Sequence, residues 1–169
     1  MRDAYRIALE LRRAAAESHA TLLINDRVDL ALAVEADGVH LGQSDLPVSH
    51  ARRMLGPSRL IGLSTHNAEQ VREAATSGAD YLGFGPIFRP RTKIDHDPVV
   101  GVDGLRTVRP LTTLPLFAIG GIQADAVGSV MGAGADGIAM ISAIWQARDI
   151  AETVRDLLRR IAAAGRPVR

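Results

Sequence analysis

Two aspartates in the first third of the chain carry the oxygen donors that a hard metal ion prefers. Asp26 ends the apolar run TLLIND, residues 21–26, and Asp45 follows the run DGVHLG, residues 37–42. Carboxylates of this kind suit Mg²⁺, which proteins often bind together with a substrate phosphate. The structural alternatives are a helix cap at Asp26 and a turn at Asp45. With Asn25 and Gln43 beside them, the pair favours a metal and phosphate site.

Polar and small residues follow the other apolar runs as well. They are Ser64-Thr65-His66, Gly85-Pro86 leading to Thr92-Lys93, Gly120-Gly121, and Ile141-Ser142. Active sites of parallel α/β sheets and barrels lie at the carboxyl ends of the strands, so we expect chemistry there. Backbone amides at Gly121 and near Ser142 match the phosphate site that barrels build after their last two strands, although Ser142 alone could cap a helix.

The loop at residues 89–101, RPRTKIDHDPVVG, follows the fourth run and contains Arg89, Arg91 and Lys93. These cations could hold an anion, and a loop of this length can close over a site. A plain solvated loop is the alternative. Among the histidines, His40 reads as a packed core residue, whereas His66 and His96 are loop residues without carboxylate partners at metal-binding spacing.

The elements that must position these residues are six short apolar runs with helical segments between them. The runs span residues 21–26, 37–42, 60–65, 81–88, 114–122 and 137–142. They do not alternate apolar with polar residues, which is typical of strands buried on both faces of a parallel sheet. The intervening segments have apolar residues at helical spacing, and residues 2–17 and 146–164 add two more helices. The pattern predicts an α/β fold.

One junction occurs three times, as EAD at residues 35–37 and GAD at residues 78–80 and 134–136. Each stands between a helix and a strand, where glycine can adopt a positive φ and end the helix. We expect Asp37, Asp80 and Asp136 to bond locally to the turn backbone and to have a structural role.

The composition excludes several classes of function. The 169 residues carry a formal charge of +1 and 4% aromatic residues, which gives no expectation of binding to nucleic acid. There is no cysteine, so disulfides and thiolate chemistry are excluded. Without a long apolar stretch or a signal-like leader, we expect a cytoplasmic protein that does not bind membranes.

Several segments together resemble the thiamine phosphate synthase family. They are LLINDRVDLALAVEADGVHLGQSDLP, IGLSTHN, GADYLGFGPIF, RTK, AIGGI and GADGIAMISAI, in this order between about residues 20 and 145. The resemblance implies a TIM-type (β/α)₈ barrel that joins a hydroxymethylpyrimidine diphosphate to a thiazole phosphate and releases pyrophosphate. Mg²⁺ on the diphosphate would help it leave, and the thiazole nitrogen would attack the pyrimidine cation.

The resemblance also implies a role for each matching residue. Asn25 would contact the diphosphate, Asp26 and Asp45 would hold Mg²⁺, and Ser64 would line the reacting centre. Lys93 would neutralise the departing pyrophosphate. Thr92, Gly121, Ile141 and Ser142 would bind the thiazole phosphate, the last three largely through backbone groups. Pro90 stands where the family usually has a first threonine, so one phosphate contact is lost, which Arg89 or Arg91 could replace.

Six of the eight barrel strands are evident, so we expect one partial barrel domain over residues 1–169 that lacks the first two strands. A truncated or misassigned start, pairing of the open edges with a partner or a second copy (a homo-oligomer), and a shorter relative with altered chemistry would each explain this. Two other functions stay open. A thiazole tautomerase of the same superfamily tends to carry a histidine where this chain has Pro86, and an inactive relative would bind only phosphate.

Overall fold

A computed structural model describes residues 2–89 and 97–164 of the chain. In this part the strands are β1 (Leu23–Asn25), β2 (Gly38–Leu41), β3 (Leu60–Thr65), β4 (Tyr81–Phe84), β5 (Leu116–Ile119) and β6 (Gly137–Ala139). The helices are α1 (Arg2–Glu17), α2 (Val28–Ala33), α3 (Val48–Leu55), α4 (Ala68–Ala74), α5 (Gly101–Val108), α6 (Val127–Gly132), α7 (Ser142–Trp145) and α8 (Ile150–Ala163). Short 3₁₀ turns span Arg109–Leu111 and Ala124–Ala126. Strands and helices alternate, which confirms the α/β class.

Each strand coincides with one of the six apolar runs; β3 spans its whole run, and the other five strands are shorter than theirs. The fourth run continues to Phe88, whereas β4 ends at Phe84 and a cis peptide joins Gly85 to Pro86. The helix expected over residues 146–164 begins only at Ile150, after the separate short helix α7. Apolar character therefore marks buried chain, and it extends past the residues that pair as strand.

The described residues form two compact units. The first comprises the described residues up to Ser64 together with Thr76–Asp80. In it β1 pairs with β2 and β2 with β3, all parallel, with Asn25 opposite His40 and His40 opposite Gly62. Val39, Leu41 and Ile61 are fully buried, as are residues of the covering helices such as Ala31 and Ala51. This register determines which residues stand at the carboxyl ends of the three strands.

The second unit comprises Thr65–Ala75 and the described residues from Tyr81 onward. In it β4 pairs with β5 and β5 with β6, again parallel. Its core contains buried strand residues such as Leu82, Phe84 and Leu116, packed with apolar residues of α5 and α6. Thr65 is a fully buried polar residue whose Oγ1 donates a hydrogen bond to the carbonyl oxygen of Gly83.

The three Ala-Asp junctions share a bonding scheme that reaches beyond the turn. The carboxylates of Asp37, Asp80 and Asp136 accept hydrogen bonds from the backbone amides of Leu22, Ile61 and Leu116, at 2.8, 2.7 and 2.9 Å. The amide of each aspartate donates back to the carbonyl oxygen of the same residue. The expectation of purely local turn bonds was therefore wrong, because each aspartate bonds to a residue 15 to 20 positions earlier, at the start of the strand that precedes it in the chain.

An arginine completes each junction. The Arg52 guanidinium lies 2.6 Å from the Asp80 carboxylate, and Arg109 lies 2.6 Å from Asp136. At the first junction Arg12 is farther from Asp37, at 4.0 Å. The residue two positions before each aspartate has a positive φ, 90° at Gly78, 109° at Gly134 and 53° at Glu35. The predicted positive φ is confirmed at both glycines, and the junctions are structural.

Among the described residues, no helix is both long enough and apolar enough to cross a membrane.

Candidate functional site

Asn25 and Asp26 lie at the carboxyl end of β1. Asp26 has a φ of 61°, in the left-handed region that aspartate tolerates better than most residues, and its amide donates to the His40 carbonyl oxygen at 2.8 Å. The predicted alternative of a helix cap at Asp26 does not apply, because α2 begins at Val28 and its N-cap is Arg27. Capping of α2 is therefore not the reason for the left-handed backbone conformation at Asp26.

Asp45 lies in the turn that follows β2. One carboxylate oxygen accepts a hydrogen bond from the Gly42 amide at 2.6 Å, so the side chain is oriented by its own turn. A Cβ atom at position 42 would lie 3.0 Å from this oxygen, which is tighter than ordinary packing. Asp45 therefore has the turn bond that was predicted as the structural alternative, and the same bond fixes the direction of its carboxylate.

Ser64, near the end of β3, is bonded to two residues of the β2 segment. Its hydroxyl oxygen lies 2.9 Å from His40 Nε2, and its carbonyl oxygen accepts a hydrogen bond from the Gln43 side-chain amide at 2.5 Å. Burial lowers the pKa of His40, and the nearby negative charge of Asp45 opposes this to a smaller extent. His40 is therefore more than the packed core residue that its place in a strand predicted.

The first unit thus places Asn25, Asp26, Gln43, Asp45 and Ser64 at or just beyond the carboxyl ends of three neighbouring parallel strands. Within the residues that the structure describes, no group of three or more His, Cys, Asp or Glu side chains could hold a metal by itself. A metal bound through Asp26 and Asp45 would therefore need further oxygens from water or from a phosphate ligand.

In the second unit, Gly120 and Gly121 follow β5 with φ values of 98° and 64°. A Cβ at Gly120 would lie 2.6 Å from Pro86, and one at Gly121 would lie 2.7 Å from the Phe88 carbonyl group. The Phe88 amide also donates to the Gly120 carbonyl oxygen at 2.9 Å. On the side where a Cβ would stand, the space beside these glycines is filled by the chain that follows β4. A phosphate contact through the Gly121 amide stays a prediction.

Ile141 and Ser142 stand at the start of α7, after β6. Ile141 is the N-cap and Ser142 is the first helical residue, so the predicted alternative of a capping Ser142 is wrong by one position. Ile141 is 60% exposed, and its carbonyl oxygen accepts the amides of Ile144 and Trp145. An exposed residue at a strand-to-helix step is compatible with a ligand contact there.

Thr92 and Lys93 lie outside the described residues, as do Pro90, Arg91 and His96. The residues that flank this segment include Asp97, whose carboxylate lies 3.4 Å from His66 Nε2, while His66 Nδ1 lies 2.6 Å from the Gly85 carbonyl oxygen. His66 thus has one carboxylate neighbour, 31 positions further along the chain, but no set of three such residues that could hold a metal forms in the described part of the chain.

His40 is the residue whose connection to the site was missed. Its partner Ser64 is 24 positions away, and only the β2–β3 register brings the two side chains together. A signal was present in the sequence, because a histidine three residues before Gln43 belongs to a run whose end was already assigned to the site.

Parallel strands with polar and glycine-rich carboxyl ends are typical of α/β barrel enzymes, whose active sites lie at that end. The model of the family described as thiamine monophosphate synthase matches residues 1–144. The chain belongs to this family.

Known proteins agree with the assignment. The chain is 50% identical over 150 residues to the thiamine-phosphate synthase of Chloroflexus aurantiacus, covering 89% of this chain and 69% of the relative. It is 43% identical over 156 residues to the Moorella thermoacetica thiamine-phosphate synthase, covering 92% and 74%. A solved structure of thiamine phosphate pyrophosphorylase from Pyrococcus furiosus superposes with a TM-score of 0.88 at 38% identity, covering 97% of this chain and 78% of that chain.

These matches confirm the resemblance stated from the sequence and the barrel-type α/β fold with six strands in the described residues. They support thiamine phosphate synthase activity, a transferase reaction on small molecules, for this chain.

Proposed function

We propose that this chain joins 4-amino-2-methyl-5-hydroxymethylpyrimidine diphosphate to a thiazole phosphate in the cytoplasm, with Mg²⁺ held by Asp26 and Asp45. The bond between the pyrimidine methylene carbon and the diphosphate oxygen breaks, and pyrophosphate leaves with the electron pair. A bond then forms between that carbon and the thiazole nitrogen, giving thiamine phosphate. The observation that carries the proposal is the family match over residues 1–144, which includes every residue assigned a role here.

The donor set of the first unit fits a magnesium ion. Two carboxylates from adjacent strand ends supply hard oxygens, and the Gly42 amide already orients one of them. When bound, Mg²⁺ would supply positive charge that stabilises the diphosphate as a leaving group. Asn25, at the end of β1 beside Asp26, would donate its side-chain amide to a diphosphate oxygen, and Ser64 would line the reacting carbon.

The second unit would bind the thiazole phosphate. Backbone amides at Gly121 and at the start of α7 are the kind of donor that recognises phosphate without adding charge. Thr92 would contribute a hydroxyl, and Lys93 would place an ammonium against the departing pyrophosphate, where negative charge develops. We expect Lys93→Ala to slow coupling by about 10²-fold while weakening thiazole phosphate binding much less. The reverse pattern would contradict the assignment to the leaving group.

The role of Lys93 can be tested chemically as well, because it is the only lysine in the sequence. Reductive methylation of the intact chain would modify Lys93 and the terminal amine, which peptide mass spectrometry separates. We expect pyrophosphate with Mg²⁺ to slow modification of Lys93 and to leave the terminal amine unaffected. Equal modification with and without pyrophosphate would remove Lys93 from the proposed site.

The reaction itself is tested by incubating the purified chain with both substrates and Mg²⁺ and following thiamine phosphate and pyrophosphate. Equal amounts of the two products support the proposal. Conversion of one thiazole tautomer into another without coupling would indicate the tautomerase function. Binding of both phosphates without either reaction would indicate a binding protein. A sedimentation experiment on the same sample would show whether the protein is a homo-oligomer.

A further inference from the structure

His40 holds the hydroxyl of a residue that the proposed reaction uses. His40 is the third of the four residues of β2. Its Nε2 is 2.9 Å from Ser64 Oγ, a normal hydrogen-bond length. The parallel register of β2 and β3 produces this contact, since His40 stands opposite Gly62 and Leu41 opposite Leu63. The side chain of His40 is partly buried, so water competes only weakly for the bond.

Ser64 is held from a second direction by Gln43. The Gln43 side-chain amide donates to the Ser64 carbonyl oxygen at 2.5 Å, which adds a restraint on the backbone at this end of β3. Rotation about the side-chain bonds is the freedom that remains to a serine whose backbone is fixed. His40 is the residue whose bond restrains that rotation.

We propose that His40 is a positioning residue for coupling, which acts by orienting the Ser64 hydroxyl toward the diphosphate. The inference rests on the proposed function. With the hydrogen on Nε2, His40 donates to Ser64 Oγ, and the hydroxyl hydrogen is left to donate to a diphosphate oxygen of the substrate. Preorganised donors of this kind stabilise charge that develops in the transition state more than they stabilise the bound substrate. Loss of His40 should therefore affect kcat more than KM.

A double-mutant cycle tests whether His40 acts through Ser64. We expect His40→Leu to lower kcat by about tenfold or more, with less than about a threefold change in KM. We expect Ser64→Ala to lower kcat at least as much. In the Ser64→Ala background, His40→Leu should lower kcat by less than about twofold, since the hydroxyl that it orients is gone.

Two further variants separate positioning from packing. His40→Gln keeps an amide donor near the position of Nε2, and we expect it to recover kcat to within about threefold of the original chain. His50→Leu is the matched control, because His50 is an exposed histidine on α3 in the same unit, and its kcat and KM should not change. Thermal unfolding of all variants identifies any loss of folded protein.

Multiplicative effects of the two substitutions would overturn the inference, since they would show that His40 acts independently of Ser64. Failure of His40→Gln to recover activity, in a variant that unfolds at the original temperature, would overturn it too. An unaltered chain that forms no thiamine phosphate at all would instead overturn the proposed function, and this inference with it. The first two results would leave the proposed function intact, so a failure of the inference about His40 can be distinguished from a failure of the proposed function.

Discussion

Aspartates stand at both ends of the strands, and the two sets have different surroundings. At the amino ends, Asp80 and Asp136 each bond to a backbone amide of the preceding strand and to an arginine at 2.6 Å. At the carboxyl ends, Asp45 bonds to the Gly42 amide, and no arginine or lysine lies within ion-pair distance of it among the described residues. The amino-end carboxylates are neutralised within the fold, whereas the Asp45 carboxylate is oriented by an amide and has no cationic partner in the described part of the chain.

The comparison teaches how the same residue type serves stability at one end of a strand and chemistry at the other. A carboxylate with both an amide and a guanidinium partner gains little from a metal, because its charge is already balanced. A carboxylate that is oriented but not neutralised is a suitable ligand for a divalent cation. The distinction follows from the partners alone, and it predicts opposite outcomes for the same substitution at the two ends.

The largest expected effect is on catalysis at the carboxyl ends. We expect Asp26→Asn and Asp45→Asn each to reduce Mg²⁺-dependent turnover by much more than about tenfold, because an amide oxygen is a weaker ligand for Mg²⁺ than a carboxylate. The measurement is the coupling rate as a function of Mg²⁺ concentration. The stability to chemical denaturation should change little, which is the contrast with the amino-end aspartates.

Asp103→Asn is the control for this prediction. Asp103 is a highly exposed aspartate paired with Arg106 on α5, and such surface pairs contribute little to stability. Its turnover and Mg²⁺ dependence should match those of the original chain. An unchanged Mg²⁺ dependence in both Asp26→Asn and Asp45→Asn would remove the metal site from the first unit.

The next effect is on stability at the amino ends. Replacement of Asp80 or Asp136 by alanine leaves a backbone amide and an arginine without their carboxylate partner. We expect a loss of about 2 kcal/mol in the free energy of unfolding, measured by denaturant titration. Asp37→Ala should cost less, because its arginine lies at 4.0 Å. Well below the unfolding temperature, turnover should be unchanged in all three alanine variants. A loss of turnover that parallels the loss of stability would contradict a purely structural role for the amino-end aspartates.

A smaller effect tests the orientation of Asp45. A methyl group at Gly42 would lie 3.0 Å from the carboxylate oxygen, so the side chain must shift slightly. We expect Gly42→Ala to raise the Mg²⁺ concentration for half-maximal turnover about threefold. Gly128→Ala in α6 is the matched control, since a Cβ there meets nothing within 4 Å. A shift in the control as large as in Gly42→Ala would show that the contact with Asp45 is irrelevant.

Much of the fold could be predicted from the sequence because buried parallel strands are continuous apolar runs. The runs could not give the strand ends, since Ile87 and Ile122 are buried beyond the paired residues. The prediction of local bonds at Asp37, Asp80 and Asp136 failed for a related reason. Their partners Leu22, Ile61 and Leu116 stand 15 to 20 positions away, and only strand register brings them together.

The candidate site was predictable in its position more than in its contacts. Polar residues after apolar runs located Asn25, Asp26, Asp45 and Ser64 at strand ends, where the structure has them. The hydrogen bond between His40 and Ser64 was not predictable from spacing, because a histidine inside a strand is compatible with either face. Thr92 and Lys93 lie outside the described residues, so their roles stay predictions.

The smallest expected effect concerns an aspartate that belongs to neither set. Asp29 is exposed on α2, and the hydrogen bond from Arg27 lowers its pKa to about 2. A carboxyl whose pKa is lower in the folded than in the unfolded chain stabilises the fold above its unfolded value, near pH 4. That contribution is lost as the pH falls toward 2.

Because the Arg27–Asp29 pair is solvated, we expect Asp29→Asn to leave the unfolding midpoint at pH 7 unchanged within error, and added salt to make no difference. A loss as large as that of Asp80→Ala would show that an arginine partner alone stabilises the fold. The backbone amide bond would then not be what distinguishes the amino-end aspartates.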